Sequence, residues 1–521
     1  MIDVVKKIVI LTLVTFLLFS SGGNALKIQN KKEIITAFDK DKPVFVEDTL
    51  ASANVTEDLD PLVDLKITFT VKEIRALDEI DRLSKPDFYV KVYINGVLYK
   101  SPVYKNQEYL KPNWSAVYDV DDTVESIPIR IELWDWNPGL DKLCDLDSNR
   151  EFYPNSSTIK IYYNLKTGHW SGDDHMYPEY VFFDPSGYGR VNGCDDNSIY
   201  EKDRDCELWF DITQNDYDDD GIPYWTEVNV FHTDPTVNDA GKDPDCDGIP
   251  TEWEFKWGYY RWYDWHNDTV KYGWYYDPFR YENHREKDPD NDGLDNVEEY
   301  MTSQWGSDPF RQDVFIEVDQ MEAGPDGEPA SKIPDGMIDL VKNPFHRRNI
   351  ILHVDDGCMS GGEMIPFDDF IPGWSQELFQ YYYDYFLHGD NNSWRKGVFH
   401  YALIVWDANF TGYNFMPGVF QLSKKWVDRK KPLMLLKGEA FIWASVFMHE
   451  LGHALGLLDP LGHDKQSYYI WQIKWWKYRP YRSCMNYGYT YLLVDYSDGS
   501  RGRNDYDDWG HLDLTYFQNE E

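Results

Sequence analysis

Cysteine is scarce in this chain: six in 521 residues (Cys144, Cys194, Cys206, Cys246, Cys358 and Cys484), and none in a C-x-x-C pair. That excludes a paired-cysteine redox or metal motif and leaves Cys194–Cys206, which closes the shortest loop, as the expected bridge in an oxidising compartment. Positive charge is scarce as well. The 51 Lys and Arg face 91 Asp and Glu, giving a formal net charge of −40, which excludes nucleic acid as a natural partner because phosphate binding needs a basic excess. Long apolar runs are missing. Apart from Ile8–Phe19 no stretch approaches the ~20 residues that a membrane-spanning helix needs. Aromatics (17%) and hydrophobics (42%) are plentiful and exclude a disordered chain. Abundant carboxylates on a well-packed chain point to bound hard cations, and the length allows three or four domains.

The front reads as an address. Lys6 and Lys7 precede the short apolar run, and Gly23 and Ala25 supply small residues for cleavage after about Ala25. Residues 1–25 are therefore a signal peptide and the mature chain is secreted. Residues 26–60 are polar and aperiodic, as suits a linker or pro-segment. Sequons at Asn54, Asn113, Asn155, Asn267, Asn391 and Asn409 are usable outside the cell.

From residue 61 the period becomes two. Leu65, Ile67, Phe69 and Val71 alternate with polar residues, as do Val90, Val92 and Ile94, then Ile127, Ile129, Ile131 and Leu133. Several such strands in succession mean an antiparallel β-sandwich over residues 61–213. Acids fall between the strands: Asp81 and Asp87 in one loop, Asp135, Asn137, Asp141 and Asp145 after a later strand. Two loops at one end of a sandwich can gather such oxygens around Ca²⁺, or simply solvate them. The strings LDEIDRLSKPDFYVKVYING, LKPNWSAVYDV and IPIRIELWDWN resemble the protein-kinase-C-type calcium/lipid-binding sandwich, the C2 class. That family's third loop prefers Asp-x-Asp, where this chain has Asp135-Trp136-Asn137. The resemblance implies calcium at Asp81, Asp87, Asp135, Asn137 and Asp141 and, more remotely, contact with a membrane surface.

Residues 214–310 hold a repeat: DYDDDGIPYWTE, DPDCDGIPTEWE and DPDNDGLDNVEE. Each places Asp at positions 1, 3 and 5, Gly at 6 and Glu at 12, the ligand order of an EF-hand-type calcium loop. The expected ligands are Asp216, Asp218, Asp220 and Glu227; Asp243, Asp245, Asp247 and Glu254; Asp288, Asp290, Asp292 and Glu299. About three calcium ions with a structural role follow. With an Asp-Pro after each loop, the array resembles thrombospondin type-3 repeats more than paired regulatory EF-hands. The aromatic insertion at 252–276 reads as a local core or as a sugar- or peptide-stacking surface.

From residue 311 strand-length apolar runs (Val314–Val318, Ile350–Val354, Phe399–Val405) alternate with helical stretches at 374–388 and Glu439–Leu458. HELGH, residues 449–453, sits on the last of these. Its two His stand one turn apart on one face, where they can grip one zinc ion, with Glu450 beside them as general base for a metal-activated water. Gly456 follows three residues after the second His, and Ser483-Cys484-Met485-Asn486-Tyr487-Gly488 reads as a tight turn. HELGHALGLLD followed by this turn resembles the metzincin metallopeptidases, with Met485 in the family's Met-turn, over roughly residues 311–521. That clan usually has His at the motif's eleventh position, where this chain has Asp459; by spacing Asp459 leads as third ligand, and His463 is the rival if the Asp-Pro-Leu-Gly segment loops outward. Tyr487 stands where some members carry a tyrosine near the metal, either steadying an oxyanion or packed in the core.

The sequence thus reads as multidomain: an N-terminal β-sandwich, a calcium-loop linker region, and a C-terminal α+β/α/β metzincin-like zinc endopeptidase acting on protein or peptide substrates. The competing reading is a non-catalytic, calcium-rigidified extracellular surface or adhesion protein with a vestigial metal site.

Overall fold

The computed structural model describes residues 58–81, 84–147, 157–173, 189–197, 203–264 and 269–518. The expected signal peptide, most of the expected linker and the sequons at Asn54, Asn155 and Asn267 lie outside them. The chain divides into two compact units, Met1–Glu57 with Tyr263–Lys271 and Asp58–Trp262 with Tyr272–Glu521; the architecture below is that of the second. No helix among the described residues is long and apolar enough to cross a membrane.

Two antiparallel sheets form the N-terminal sandwich. Its strands are β1 (Lys66–Ala76), β2 (Phe88–Ile94), β3 (Val97–Lys100), β4 (Tyr109–Leu110), β5 (Trp114–Asp119), β6 (Ser126–Asp135), β7 (Lys142–Leu143), β8 (Ile159–Asn164), β9 (His169–Gly172), β10 (Gly189–Asn192) and β11 (Cys206–Gln214). One sheet runs β10-β11-β1-β4, with β5 also on β1; the other runs β3-β2-β6-β8-β9, with β7 on β6. Alternation sets the core. Ile67, Phe69 and Val71 of β1 and Val90, Val92 and Ile94 of β2 point between the sheets and are fully buried, while their neighbours face outward. A register shift between Val71 and Glu73 changes the phase of β1, so that Ile74 again faces the core.

The middle region is built from short helices after each acidic loop, among them α1 (Thr251–Gly258) and α2 (Asn296–Thr302), and a hairpin of β12 (Tyr259–Asp264) and β13 (Thr269–Trp274). Trp253, Phe255, Trp257, Tyr259 and Tyr276 are buried, so these aromatics of the insertion form a core.

The C-terminal region is a mixed sheet covered on both faces. It contains β14 (Asp313–Met321), β15 (Ile351–Asp355), β16 (Met364–Ile365), β17 (Phe399–Val405), β18 (Gly412–Met416) and β19 (Val419–Ser423), with helices α3 (Met337–Arg347), α4 (Gln376–Tyr381), α5 (Lys431–Lys437) and α6 (Glu439–Ala454). The order is β15-β14-β17-β19-β18, with β18 antiparallel at the edge. Val314, Ile316 and Val318 face α3 and α6, whereas Phe315 and Met321 face the other layer; a central strand buried on both faces reads as a continuous apolar run for this reason. Ser375 caps α4 by accepting from Leu378 N, and the expected 374–388 helix continues past Tyr381 only as a wider turn through Phe386.

The expected Cys194–Cys206 bridge is not formed. Cys206 lies inside the sandwich against Cys144, and Cys194 Sγ instead approaches an Asp196 oxygen at 3.8 Å.

Candidate metal centres

Helix α6 carries His449 and His453 one turn apart, and its carboxyl end is stopped by Gly456 in the left-handed conformation (φ +88°). His449 Nδ1 donates to the Cys484 carbonyl at 2.8 Å, and His453 Nδ1 donates to the Leu457 carbonyl at 2.6 Å. A carbonyl only accepts, so both Nδ1 atoms carry the proton and both Nε2 lone pairs are left available. His463 comes to meet them. Its Nε2 lies 3.2 Å from that of His453, and the three residues offer ring nitrogens within 4.8 Å of one another. Two nitrogens bonded to one tetrahedral zinc stand about 3.3 Å apart, so the donor set fits such an ion. Burial holds His449 well below its ordinary pKa and brings His463 down to about 4, which keeps the rings in the neutral form that ligates.

Asp459, the expected third ligand, is exposed and outside the cluster. Gly456 and Gly462 both take positive φ, and His463 N donates to the Pro460 carbonyl at 3.1 Å. Asp459 therefore faces solvent while His463 returns inward.

Glu450 is 7% exposed, and burial pushes its carboxyl up to about 8. It reaches the edge strand β18 at Gly412, where a Cβ would overlap the Glu450 carboxyl group. Gly412 thus leaves space for this carboxyl. Met485 is fully buried beneath the helix; its sulfur would lie 2.6 Å from a Cβ built on Gly452, between the two motif histidines. Cys484, which holds His449, belongs to the same turn. Tyr487 packs its ring 4.3 Å from that of His463 and stacks on Tyr468 at 4.7 Å.

The three acidic loops share one wiring. Gly221 N, Gly248 N and Gly293 N each donate to the second oxygen of the first Asp in their loop, at 3.1, 3.0 and 3.0 Å. Position 4 is left-handed in every loop (Asp219 φ 62°, Cys246 φ 63°, Asn291 φ 60°), and so is the position-6 glycine. One oxygen of the fifth-position Asp accepts from a backbone N–H two residues on; the other accepts from a distant one, Asp239 N, Glu282 N or Asp313 N. Positions 3 and 12 are the contrast. Both oxygens of Asp218, Glu254 and Glu299, and one each of Asp245 and Asp290, are buried and have no donor. Burial, reinforced by neighbouring acids, raises Glu227 to about 8 and Glu254 to about 9, and lifts Glu299 well above the carboxylate range. A buried carboxylate without a partner is costly, and a hard divalent cation is what such oxygens fit. His284 joins the second loop, 3.1 Å from Asp247 and 3.5 Å from Glu254. It lies outside the twelve-residue pattern, so no sequence signal marks it.

The sandwich loops, where Asp81, Asp87, Asp135, Asn137 and Asp141 are the expected ligands, are wired differently. The Lys142 ammonium bonds Asp81 and lies 3.5 Å from Asp135 Oδ2. Asp135 also accepts from Asp87 N at 2.9 Å and from Asn137 Nδ2 at 2.7 Å. Asp87 accepts from Asn106 N, and Asp141 from Asn137 N and the Tyr89 hydroxyl. Every one of these carboxylates already meets a donor.

This topology, with loop acids gathered at one end of an antiparallel sandwich, agrees with the family comparison: residues 65–145 match the sequence model of the C2 domain. Residues 65–145 form a C2 domain. Calcium binding is typical of C2 domains. Similar solved structures include an isolated C2 domain (13% identity, 29% of this chain and 98% of that one, TM-score 0.18) and a C2 domain of plant extended synaptotagmin 1 (13%, 29% and 94%, TM-score 0.18). Human GIVD cytosolic phospholipase A2 is similar over 29% of this chain but only 16% of its own (15% identity, TM-score 0.18). A comparison with curated proteins gave no match. The family match ends within the C2 domain, so the acidic loops and the histidine cluster stand on their own geometry.

Proposed function

We propose that the chain is a secreted zinc-dependent endopeptidase whose three acidic loops hold structural calcium. The observation that carries the reading is the convergence of His449, His453 and His463 beside a buried Glu450 at a sheet edge. His449, His453 and His463 would hold a zinc ion there, and the ion would supply Lewis acidity for activating water. The protein's own groups do the rest. Cys484 and Leu457 fix the ring orientations through their carbonyls, as outer partners of metal-ligating histidines do. Glu450, in its ionised form, would accept a proton from the attacking water and return it to the leaving amine nitrogen. β18, antiparallel and unpaired on its outer side within the sheet, offers backbone groups to an extended peptide beside that carboxyl. Tyr487 is the candidate to steady the developing oxyanion.

Replacing Glu450 tests this directly. Glu450→Ala should lower casein hydrolysis by about 10²–10⁴-fold while bound zinc stays near one per chain by elemental analysis. Undiminished hydrolysis would reject the mechanism.

A further inference from the structure

One surface of the C-terminal region contradicts the composition of the whole. Residues 465–482, between the third histidine and the Met485 turn, contain Lys465, Lys474, Lys477, Arg479 and Arg482 and no acidic residue, in a chain of net charge −40. The same segment turns its large apolar side chains outward. Ile470 is 60% exposed, Trp471 75%, Ile473 88% and Trp476 58%. They are held in place: the Trp476 indole donates to the Ile470 carbonyl at 2.7 Å, and Trp471 stacks on Tyr469 at 4.4 Å. Helix α5 carries a second exposed apolar pair: Leu433 and Met434 pack on the core, leaving Leu435 and Leu436 90% and 82% exposed. Lys430, immediately before α5, lies 4.5 Å over the Tyr491 ring.

We propose that this face docks on an anionic lipid surface. Exposed aliphatic and aromatic side chains in a contiguous set mark an interaction site. Trp and Tyr with Ile and Leu tips, bordered by Lys and Arg, match the interfacial layer of a bilayer, where indoles sit at headgroup depth and cations meet lipid phosphates. The local charge of the segment selects anionic over neutral lipid: Asp464, just before it, is paired with Lys474, and carboxylates farther than a Debye length (about 8 Å at physiological salt) are largely screened. Because Tyr468 stacks on Tyr487, which packs against His463, docking here sets the histidine cluster at the membrane surface, within reach of proteins displayed on it.

Vesicle sedimentation of the full chain at saturating calcium tests the proposal, with phosphatidylcholine alone against phosphatidylcholine mixed with phosphatidylglycerol. The expected result is sedimentation with the mixed vesicles, a blue shift of Trp emission, and release at high salt. Trp471→Ser with Ile473→Ser should reduce partitioning about tenfold or more, with circular dichroism and bound zinc unchanged. Leu140→Ser, on an 83% exposed residue of the C2 domain, should leave binding as it was. Absence of sedimentation overturns the proposal, as does equal binding to neutral vesicles. Binding lost through Leu140→Ser but not through the double variant would assign lipid contact to the C2 domain instead. Self-association abolished by the double variant, without lipid binding, would mark the face as a protein interface.

Discussion

The C2 loops and the three acidic loops contain the same residue types, yet the structure treats their charge in opposite ways. Asp81 and Asp135 share an internal cation, the Lys142 ammonium, and their neighbours are saturated by N–H and O–H donors. The carboxyl oxygens of Asp218, Glu254 and Glu299 are shielded from solvent and none meets a donor at full hydrogen-bond geometry. An inventory of carboxylates therefore does not define a metal site. What defines one is the oxygens left over after the protein's own donors have been assigned. By that criterion the acidic loops leave oxygens that the protein's own donors do not meet, whereas the C2 carboxylates named above each meet at least one donor.

Removing calcium is the strongest way to break this contrast. Each occupied site stabilises the folded chain by ~2.7 kcal/mol when calcium is at about a hundred times its dissociation constant. Three sites lost together should produce a large fall in the thermal midpoint, restored by calcium and not by zinc. The third loop should open last, since Asp290, Asp292 and Glu299 are enclosed and Asp292 also holds the start of β14 through Asp313 N. Differential scanning calorimetry with and without calcium reads this; an unchanged midpoint would show the loops to be self-sufficient.

Converting one class into the other is the next test. Lys142→Gln removes the internal cation and leaves Asp135, fully buried, facing Asp81 with only the neutral donors Asp87 N and Asn137 Nδ2. Lys142 is itself 36% exposed, so solvent screening limits the loss to about 1–2 kcal/mol. The variant should then recover stability on adding calcium, with one more calcium bound per chain than in the wild type, counted by equilibrium dialysis. Equal stoichiometry in the two proteins would mean that Lys142 does not stand in for an ion.

Much of this was readable in sequence wherever the signal was local. Strand alternation marked the sandwich core, and the spacing of Asp, Gly and Glu marked the three loops with their left-handed position 6. Contacts set by chain reversal were not readable. Spacing after Gly456 favoured Asp459, but a second left-handed glycine, Gly462, turns the chain so that Asp459 faces solvent and His463 returns inward. Lys142 follows Asp141 directly, yet only the fold brings its ammonium to Asp81, sixty-one residues earlier. Cys206 meets Cys144 rather than Cys194 for the same reason: a short loop in sequence does not imply facing side chains in a sandwich. His284 shows the limit most plainly, since no repeat contains it.

A third acidic group lies between these extremes, and its effect is spread over several pH units. Asp205, 1% exposed, has one buried oxygen without a donor and stands among Asp203 and Asp78. Burial, then those two neighbours, raises its carboxyl to about 9. The sign follows from the direction of the shift. A carboxyl whose folded pKa exceeds its unfolded value of about 3.9 binds the proton more tightly in the folded state. Its contribution is fully present below about pH 4 and is lost progressively as pH rises toward 9. Asp205→Asn should flatten that fall by up to ~1.4 kcal/mol per pH unit, measured as urea stability of wild type and variant between pH 5 and 8 (roughly the centre of the window). Parallel stability curves would mean that a cation, rather than a proton, neutralises this group, and would move it into the class of the acidic loops.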